Sequence, residues 1–378
     1  TESSVSINLY KNVSKILFET MRIFIVYGTR PELIKVAPLI LKLQEIPSVA
    51  LTIVSTGQHK EMLTSLEELF GITPDVSLAV MTTNQTVNSV VSKVITKVDE
   101  LIIDRQPELV FVQGDTATVL GTAMACFYSK IKVAHIEAGL RSFDLEHPFP
   151  EEFNRKVVSI FADYNFAPTA LSASNLLKEG VSEDKVFVTG NTVIDALKIL
   201  SQKVVAKSQP KRTILVTAHR RENHGSGMLA ICEAIKTLLS ERSDLSFVWP
   251  LHPNPNVKEF VERQMAEVKG ITFTPPMDYL SLIEIMKSSY LIWTDSGGIQ
   301  EEAPSFKKPV IILREVTERP EVVTAGFGEL TGTNTSLILE STRKLLDDEL
   351  YYQSRVSGKN PFGDGDACEQ IIEILKLR

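Results

Sequence analysis

The feature that most constrains this chain is a rhythm. Short β-branched and aromatic runs, apolar on both faces, alternate with longer amphipathic stretches. A strand without a polar face has to be covered on both sides, which a parallel sheet flanked by helices provides. From Met21 the strand runs are Arg22–Tyr27, Ala50–Ser55, Leu109–Gln113, Lys132–Ile136 and Tyr164–Ala167, with helical stretches such as Pro31–Gln44 and Thr86–Arg105 between them. After a changeover near Val186–Asn191 the same grammar restarts. Its strands are Thr213–Thr217, Ser246–Leu251, Ile271–Thr274, Tyr290–Thr294 and Val310–Leu313. Helical stretches there include Gly227–Glu241, Pro255–Val268, Tyr279–Lys287 and Ile299–Ser305.

There is no internal sequence repeat, only a repeated architecture. Ordinary domains hold roughly 100–200 residues, so a chain of 378 suggests two. The expected fold is α/β, two Rossmann-like doubly wound domains facing a cleft. The first would span 21–188 and the second 189–361, with an amphipathic terminal helix in 362–378 packing back on the first.

Composition narrows the function. Net charge is −7 and no Lys/Arg-rich block stands out, which argues against nucleic acid, where neutralised phosphates supply most of the affinity. Cys126, Cys232 and Cys368 are few, odd in number and far apart, a pattern of reduced thiols in a cytoplasmic protein rather than disulfides or a zinc site. Cys126, inside an apolar run, reads as core filler. No apolar stretch reaches the ~20 residues of a membrane span. Residues 1–20 lack a signal-peptide pattern and read as an upstream extension.

Ligands of open α/β sheets collect at the carboxyl ends of strands, and the polar motifs sit there. Gly28-Thr29-Arg30-Pro31-Glu32-Leu33-Ile34-Lys35 combines a turn glycine, a first-turn proline and two cations at a helix N-terminus, an arrangement suited to an anion. Asp295-Ser296-Gly297-Gly298-Ile299-Gln300-Glu301-Glu302 brings backbone N–H groups close to a phosphate. Glu302 lies deeper in that helix, placed for ribose hydroxyls. Thr217-Ala218-His219-Arg220-Arg221-Glu222-Asn223 puts three potential cations after one strand, and His252 follows the next. The histidines lack the helical or hairpin spacing of a zinc site, so no metal is expected. Asp115 and Glu137 follow two further strands, and Glu151 opens a helix with Arg155 four residues on. A plain helical salt bridge would explain that last pair. Carboxylates crowded in a cleft instead raise one another's pKa, as acid–base work requires.

In register from Met21 onward, GTRPELIK, QGDT, HIEAGLRS, PFPEEFNR, GNTVIDAL, TAHRREN, DSGGIQEE and TERPE together resemble the non-hydrolysing UDP-N-acetylglucosamine 2-epimerases. The resemblance implies a glycosyltransferase-B-like domain pair, commonly a homodimer, that uses neither redox cofactor nor metal and makes a precursor for surface polysaccharides. It implies a catalytic set of Asp115, Glu137, Glu151, Arg155 and His219. Its UDP and sugar ligands would be Arg30, Lys35, Arg220, Asn223, His252, Ser296, Gly297, Gly298, Glu302 and Arg319. Most acid–base groups fall in the first domain and most UDP contacts in the second.

The sequence departs from the family pattern at Gln58-His59-Lys60-Glu61 and Thr83-Asn84-Gln85. An acid and an asparagine replace donors of the activating second-substrate site that the resemblance implies, so substrate activation is expected to be weak or absent. Three alternatives remain: a hydrolysing 2-epimerase, an epimerase of a modified UDP-2-acetamido sugar, and a UDP-sugar glycosyltransferase of the same fold.

Overall fold

A computed structural model describes residues 20–57, 60–82, 85–220, 223, 225–251 and 255–377. The activation-site positions Gln58, His59, Thr83 and Asn84, the binding candidate His252 and residues 1–19 lie outside them. No helix among the described residues is long and apolar enough to cross a membrane.

Two parallel sheets form. The first contains β1 (Met21–Tyr27), β2 (Val49–Ser55), β3 (Val76–Ser77), β4 (Leu109–Gln113), β5 (Lys132–Ile136), β6 (Tyr164–Ala167) and β7 (Val186–Val188), in the spatial order β3-β2-β1-β4-β5-β6-β7. The second contains β8 (Arg212–Thr217), β9 (Leu245–Pro250), β10 (Ile271–Thr274), β11 (Leu291–Thr294), β12 (Val310–Ile312) and β13 (Gly328–Leu330), ordered β10-β9-β8-β11-β12-β13. Each is the doubly wound Rossmann order. It reverses between β1 and β4 in one sheet and between β8 and β11 in the other, which opens a crevice at their carboxyl ends.

The strands the alternation predicts are present, β4, β5, β6 and β10 with the same limits. Short β3, β7 and β13 escaped that reading, because two or three residues at a sheet edge carry little periodic signal. The apparent changeover at Val186 is therefore the last strand of the first sheet.

Burial explains why both strand faces are apolar. Ile23, Ile25 and Tyr27 pack on one side of β1 with the helix Arg30–Gln44, while Phe24 and Val26 pack on the other with the helices Val87–Arg105 and Ala117–Tyr128. The first of these cores continues into the second sheet through the helices Thr192–Ser201 and Tyr279–Ser288. The two halves are thus joined by apolar packing beneath the crevice. The terminal helix Ala367–Ile374 packs against the helices Thr192–Ser201 and Arg30–Gln44. There Asp195 accepts the N–H groups of Ala367 and Cys368 at 3.2 and 3.0 Å, closing the terminal helix's open N-terminus. All three cysteines are buried and unpaired, and burial pushes the Cys126 thiol up to about 12.

Candidate active site

A cavity of about 660 Å³ lies between the sheets. Its walls include Arg30, Lys35, Asp115, Glu137, Glu151, His219, Arg220, Ser296, Gly297, Gly298, Glu302 and Arg319. These residues come from elements spread over most of the chain, and the two sheets' strand ends bring them together.

The first wall begins at β1. Glu32, in the first turn of the helix Arg30–Gln44, accepts from Gly28 N at 2.5 Å and Thr29 N at 2.8 Å and from the Thr116 hydroxyl. It thereby ties the β1 turn to the loop carrying Asp115. Burial pushes its carboxyl up to about 7 despite these donors. Asp115 receives Arg155 Nε at 3.0 Å and Nη2 at 2.5 Å. Arg155 gives Nη1 to Glu152 at 3.2 Å. The i, i+4 bridge to Glu151 expected from spacing is replaced by these two partners, because Arg155 sits on the inner helix face beneath the Asp115 loop. Glu151 is left facing the cavity. Burial raises the pKa of both Asp115 and Glu151, Arg155 opposing the rise at Asp115.

Glu137 follows β5 with a left-handed backbone, φ 65°, which an unbranched side chain tolerates only at a cost. Lys35 and the Gln113 amide bond its carboxylate directly, Asn191 Nδ2 donates at 3.1 Å, and Arg319 Nη2 lies at 3.8 Å. Burial pulls the Glu137 pKa up, but Lys35 and Arg319 overcome it and hold the carboxyl at about 2. Lys35 also reaches Glu301 at 3.3 Å. It was expected to face a diphosphate, and the structure commits it to two carboxylates instead. Burial would lower its pKa, yet those carboxylates raise it. Arg319 donates to Glu301 at 2.7 Å and Glu318 at 2.6 Å, so it too serves the carboxylate cluster.

The second wall is built on β8 and β11. Asp295 Oδ2 accepts from His219 N, Arg220 N and Asn223 Nδ2, each at 2.9 Å, and Asp295 Oδ1 lies 3.4 Å from His219 Nδ1. Asn223 also donates to Leu313 O at 3.2 Å. It holds the loop in place and lines a neighbouring cavity rather than the main one. Ser296 precedes the short helix Gly297–Glu302, whose N–H groups open toward the cavity. A Cβ on Gly297 would stand 2.7 Å from the Arg319 guanidinium, which accounts for glycine there. Tyr279 OH donates to Glu302 Oε1 at 3.1 Å. Glu302 Oε2 is buried without a partner, and burial, with Glu301 beside it, pushes this carboxyl up to about 8.

Across the cavity, Asp115, Glu137 and Glu151 from the first sheet face His219, Arg220 and the Ser296–Gly298 turn from the second. A family model described as UDP-N-acetylglucosamine 2-epimerase matches residues 41–376. The UDP-N-acetylglucosamine 2-epimerase of Campylobacter jejuni is 43% identical over 371 residues, 94% of this chain and 97% of its own length. The chain belongs to this family.

Among solved structures of the family, UDP-GlcNAc 2-epimerase from Neisseria meningitidis bound to UDP-GlcNAc is 41% identical, with a TM-score of 0.89 over 95% of this chain and 100% of its own. The Methanocaldococcus jannaschii enzyme in complex with UDP-GlcNAc and UDP is 35% identical, with a TM-score of 0.80 over 94% of this chain and 99% of its own. The expected glycosyltransferase-B-like arrangement is therefore the family's own. What sequence reasoning missed in this epimerase fold are Glu32, Gln113, Asn191, Tyr279 and Glu301. Glu301 stood in a motif but drew no role, since a helical Glu-Glu doublet does not reveal which acid turns inward. Asn191 carries no charge to attract notice.

Proposed function

We propose that this chain catalyses the non-hydrolysing inversion of carbon 2 of UDP-N-acetylglucosamine, giving UDP-N-acetylmannosamine. A base takes the C2 proton while the C1–O bond breaks and UDP leaves, giving 2-acetamidoglucal. UDP then re-adds at C1 and a proton is delivered to C2 on the opposite face. The observation that carries this reading is a cavity that sets Asp115 and Glu151 across from His219, Arg220 and the Ser296–Gly298 turn. Abstraction of a weakly acidic C–H calls for carboxylates near their working pH, and departure of an anion calls for positive potential held apart from them.

Asp115 and Glu151 face the cavity with raised pKa values, as proton-transfer groups would. Glu137, its pKa lowered by Lys35 and Arg319 against its burial, is held as a carboxylate and acts as a fixed negative charge. Arg155 compensates Asp115. On the other wall, His219, Arg220 and the N–H groups at Ser296–Gly298 would take the diphosphate, with Arg30 at the entrance of the first wall. His219, its Nδ1 3.4 Å from Asp295 Oδ1, lines the cavity where the leaving phosphate would sit. The unpartnered Glu302 oxygen suits a ribose hydroxyl. The relatives whose structures hold UDP-GlcNAc or UDP support this ligand class.

Incubation with UDP-N-acetylglucosamine in deuterium oxide, followed by NMR, tests the reading. C2-deuterated UDP-N-acetylmannosamine is expected. Free N-acetylmannosamine with UDP would replace it by a hydrolysing epimerase, and no turnover without an acceptor by a transferase. The unpaired cysteines fit a reducing, cytoplasmic setting. A homodimer is also proposed: Ile103, Phe127, Tyr128 and Ile160 are exposed at the carboxyl ends of three helices of the first half, and an apolar patch shared by two copies would close as a twofold contact.

A further inference from the structure

Asn191 does not line the cavity, yet it touches both halves of the molecule. It sits where the chain passes from the first sheet to the second. Its backbone N–H donates to Phe362 O at 2.7 Å, where the chain returns. The two crossings press backbone on backbone: a Cβ on Gly190 (φ 85°) would meet Phe362 O at 3.1 Å, and one on Gly363 would meet Gly190 Cα at 3.4 Å. The side chain is 1% exposed and fully used. Oδ1 accepts from Val193 N at 3.2 Å, capping the helix Thr192–Ser201. Nδ2 donates to Glu137 Oε1 and Glu301 Oε2, each at 3.1 Å.

A helix cap needs only an acceptor, which Ser, Thr or Asp supplies as well. Of the strong capping residues, Asn alone adds an N–H donor beside that acceptor. Here the donor spans two carboxylates from opposite halves, which also share Lys35. Two buried carboxylates this close repel, and each shared donor offsets that repulsion. The groups facing Glu137 are Lys35, Arg319, Glu301, Asp115 and the buried His135.

We propose that Asn191 is a positioning residue of the epimerase reaction, fixing the Glu137 carboxylate of one half against Glu301 of the other. It acts through Glu137 and not on the sugar nucleotide. The inference rests on the reading of Glu137 as part of the carboxylate set at the sugar.

Two variants that keep the helix cap test it. Asn191→Ser retains an acceptor and loses the amide donor. Its kcat should fall about ten- to a hundredfold, with UDP affinity close to wild type and a Tm lower by several degrees, since a buried hydrogen bond to charged groups is lost as well. Asn191→Asp retains the cap but sets a third carboxylate against Glu137 and Glu301. The Glu137 carboxyl should then titrate at higher pH, read from 13C-carboxyl NMR of glutamate-labelled protein with the resonance assigned by its loss in Glu137→Gln. Wild-type kcat in Asn191→Ser would overturn the proposal, as would a kcat loss matched by an equal loss of UDP affinity. An unmoved Glu137 titration in Asn191→Asp would overturn it too. Should wild type exchange no deuterium at C2, the epimerase reading fails, while the NMR titration still decides the role of Asn191.

Discussion

Replacing Asp115 by Asn separates chemistry from binding and allows both effects to be sized. Asp115 Oδ2 takes two bonds from Arg155, at 3.0 and 2.5 Å, and its side chain is 23% exposed while that of Arg155 is 6%. Breaking a fully buried ion pair costs about 3–5 kcal/mol. Here Asp115 is partly exposed at the cavity wall and Arg155 keeps Glu152 at 3.2 Å, so the expected loss is nearer the 1.5–3 kcal/mol of a hydrogen bond to a charged group. For a domain of this size that is a Tm decrease on the order of 3–10 °C. Loss of a general acid–base group should lower kcat by about 10²–10⁴. UDP affinity should persist, because His219, Arg220 and the Gly297–Glu302 helix are carried by the other sheet. Deuterium wash-in at C2, titration calorimetry with UDP and scanning calorimetry measure the three effects. Turnover at the wild-type rate would remove Asp115 from the acid–base set. Lost UDP binding would show that the walls are not independent.

Further outcomes follow from the same geometry. Glu302 has its folded pKa raised from 4.5 to about 8, so between pH 6.5 and 8 the folded protein holds a proton that the unfolded chain has lost, and stability should fall as pH rises. Glu302→Gln should flatten that slope in a series of Tm measurements. His135, lowered to about 4, opposes only below 6.5. Gly297→Ala would push a Cβ to 2.7 Å from Arg319, and such overpacking costs about 1–3 kcal/mol, so Tm should fall by about 2–10 °C in scanning calorimetry; an unchanged Tm would disprove this account of the glycine. Phe127→Glu, in the exposed apolar patch, should shift sedimentation from dimer to monomer; an unaltered sedimentation coefficient would place any dimer contact elsewhere.

What the sequence determined by itself was local. Runs such as Ile23–Tyr27 and Leu109–Gln113 have no polar face, so they had to lie in a covered parallel sheet, and turn glycines and charges directly after them had to gather at its carboxyl edge. That much put Arg30, Asp115, Glu137, His219 and Ser296 in one cleft. Which of them pair was decided only by tertiary structure. Lys35 follows the first strand like an anion ligand, yet it meets Glu137, 102 residues away, and Glu301 from the other half. Arg155 stands four residues from Glu151 and turns to Asp115. Asn191 looks like a helix cap and also bridges two carboxylates. A carboxyl's proton affinity depends on its burial and on charges within a few ångströms, and here those charges arrive from strands distant in sequence. For that reason Glu137 at about 2 and Glu302 at about 8, two acids of the same intrinsic chemistry, became distinguishable only once the sheets were assembled.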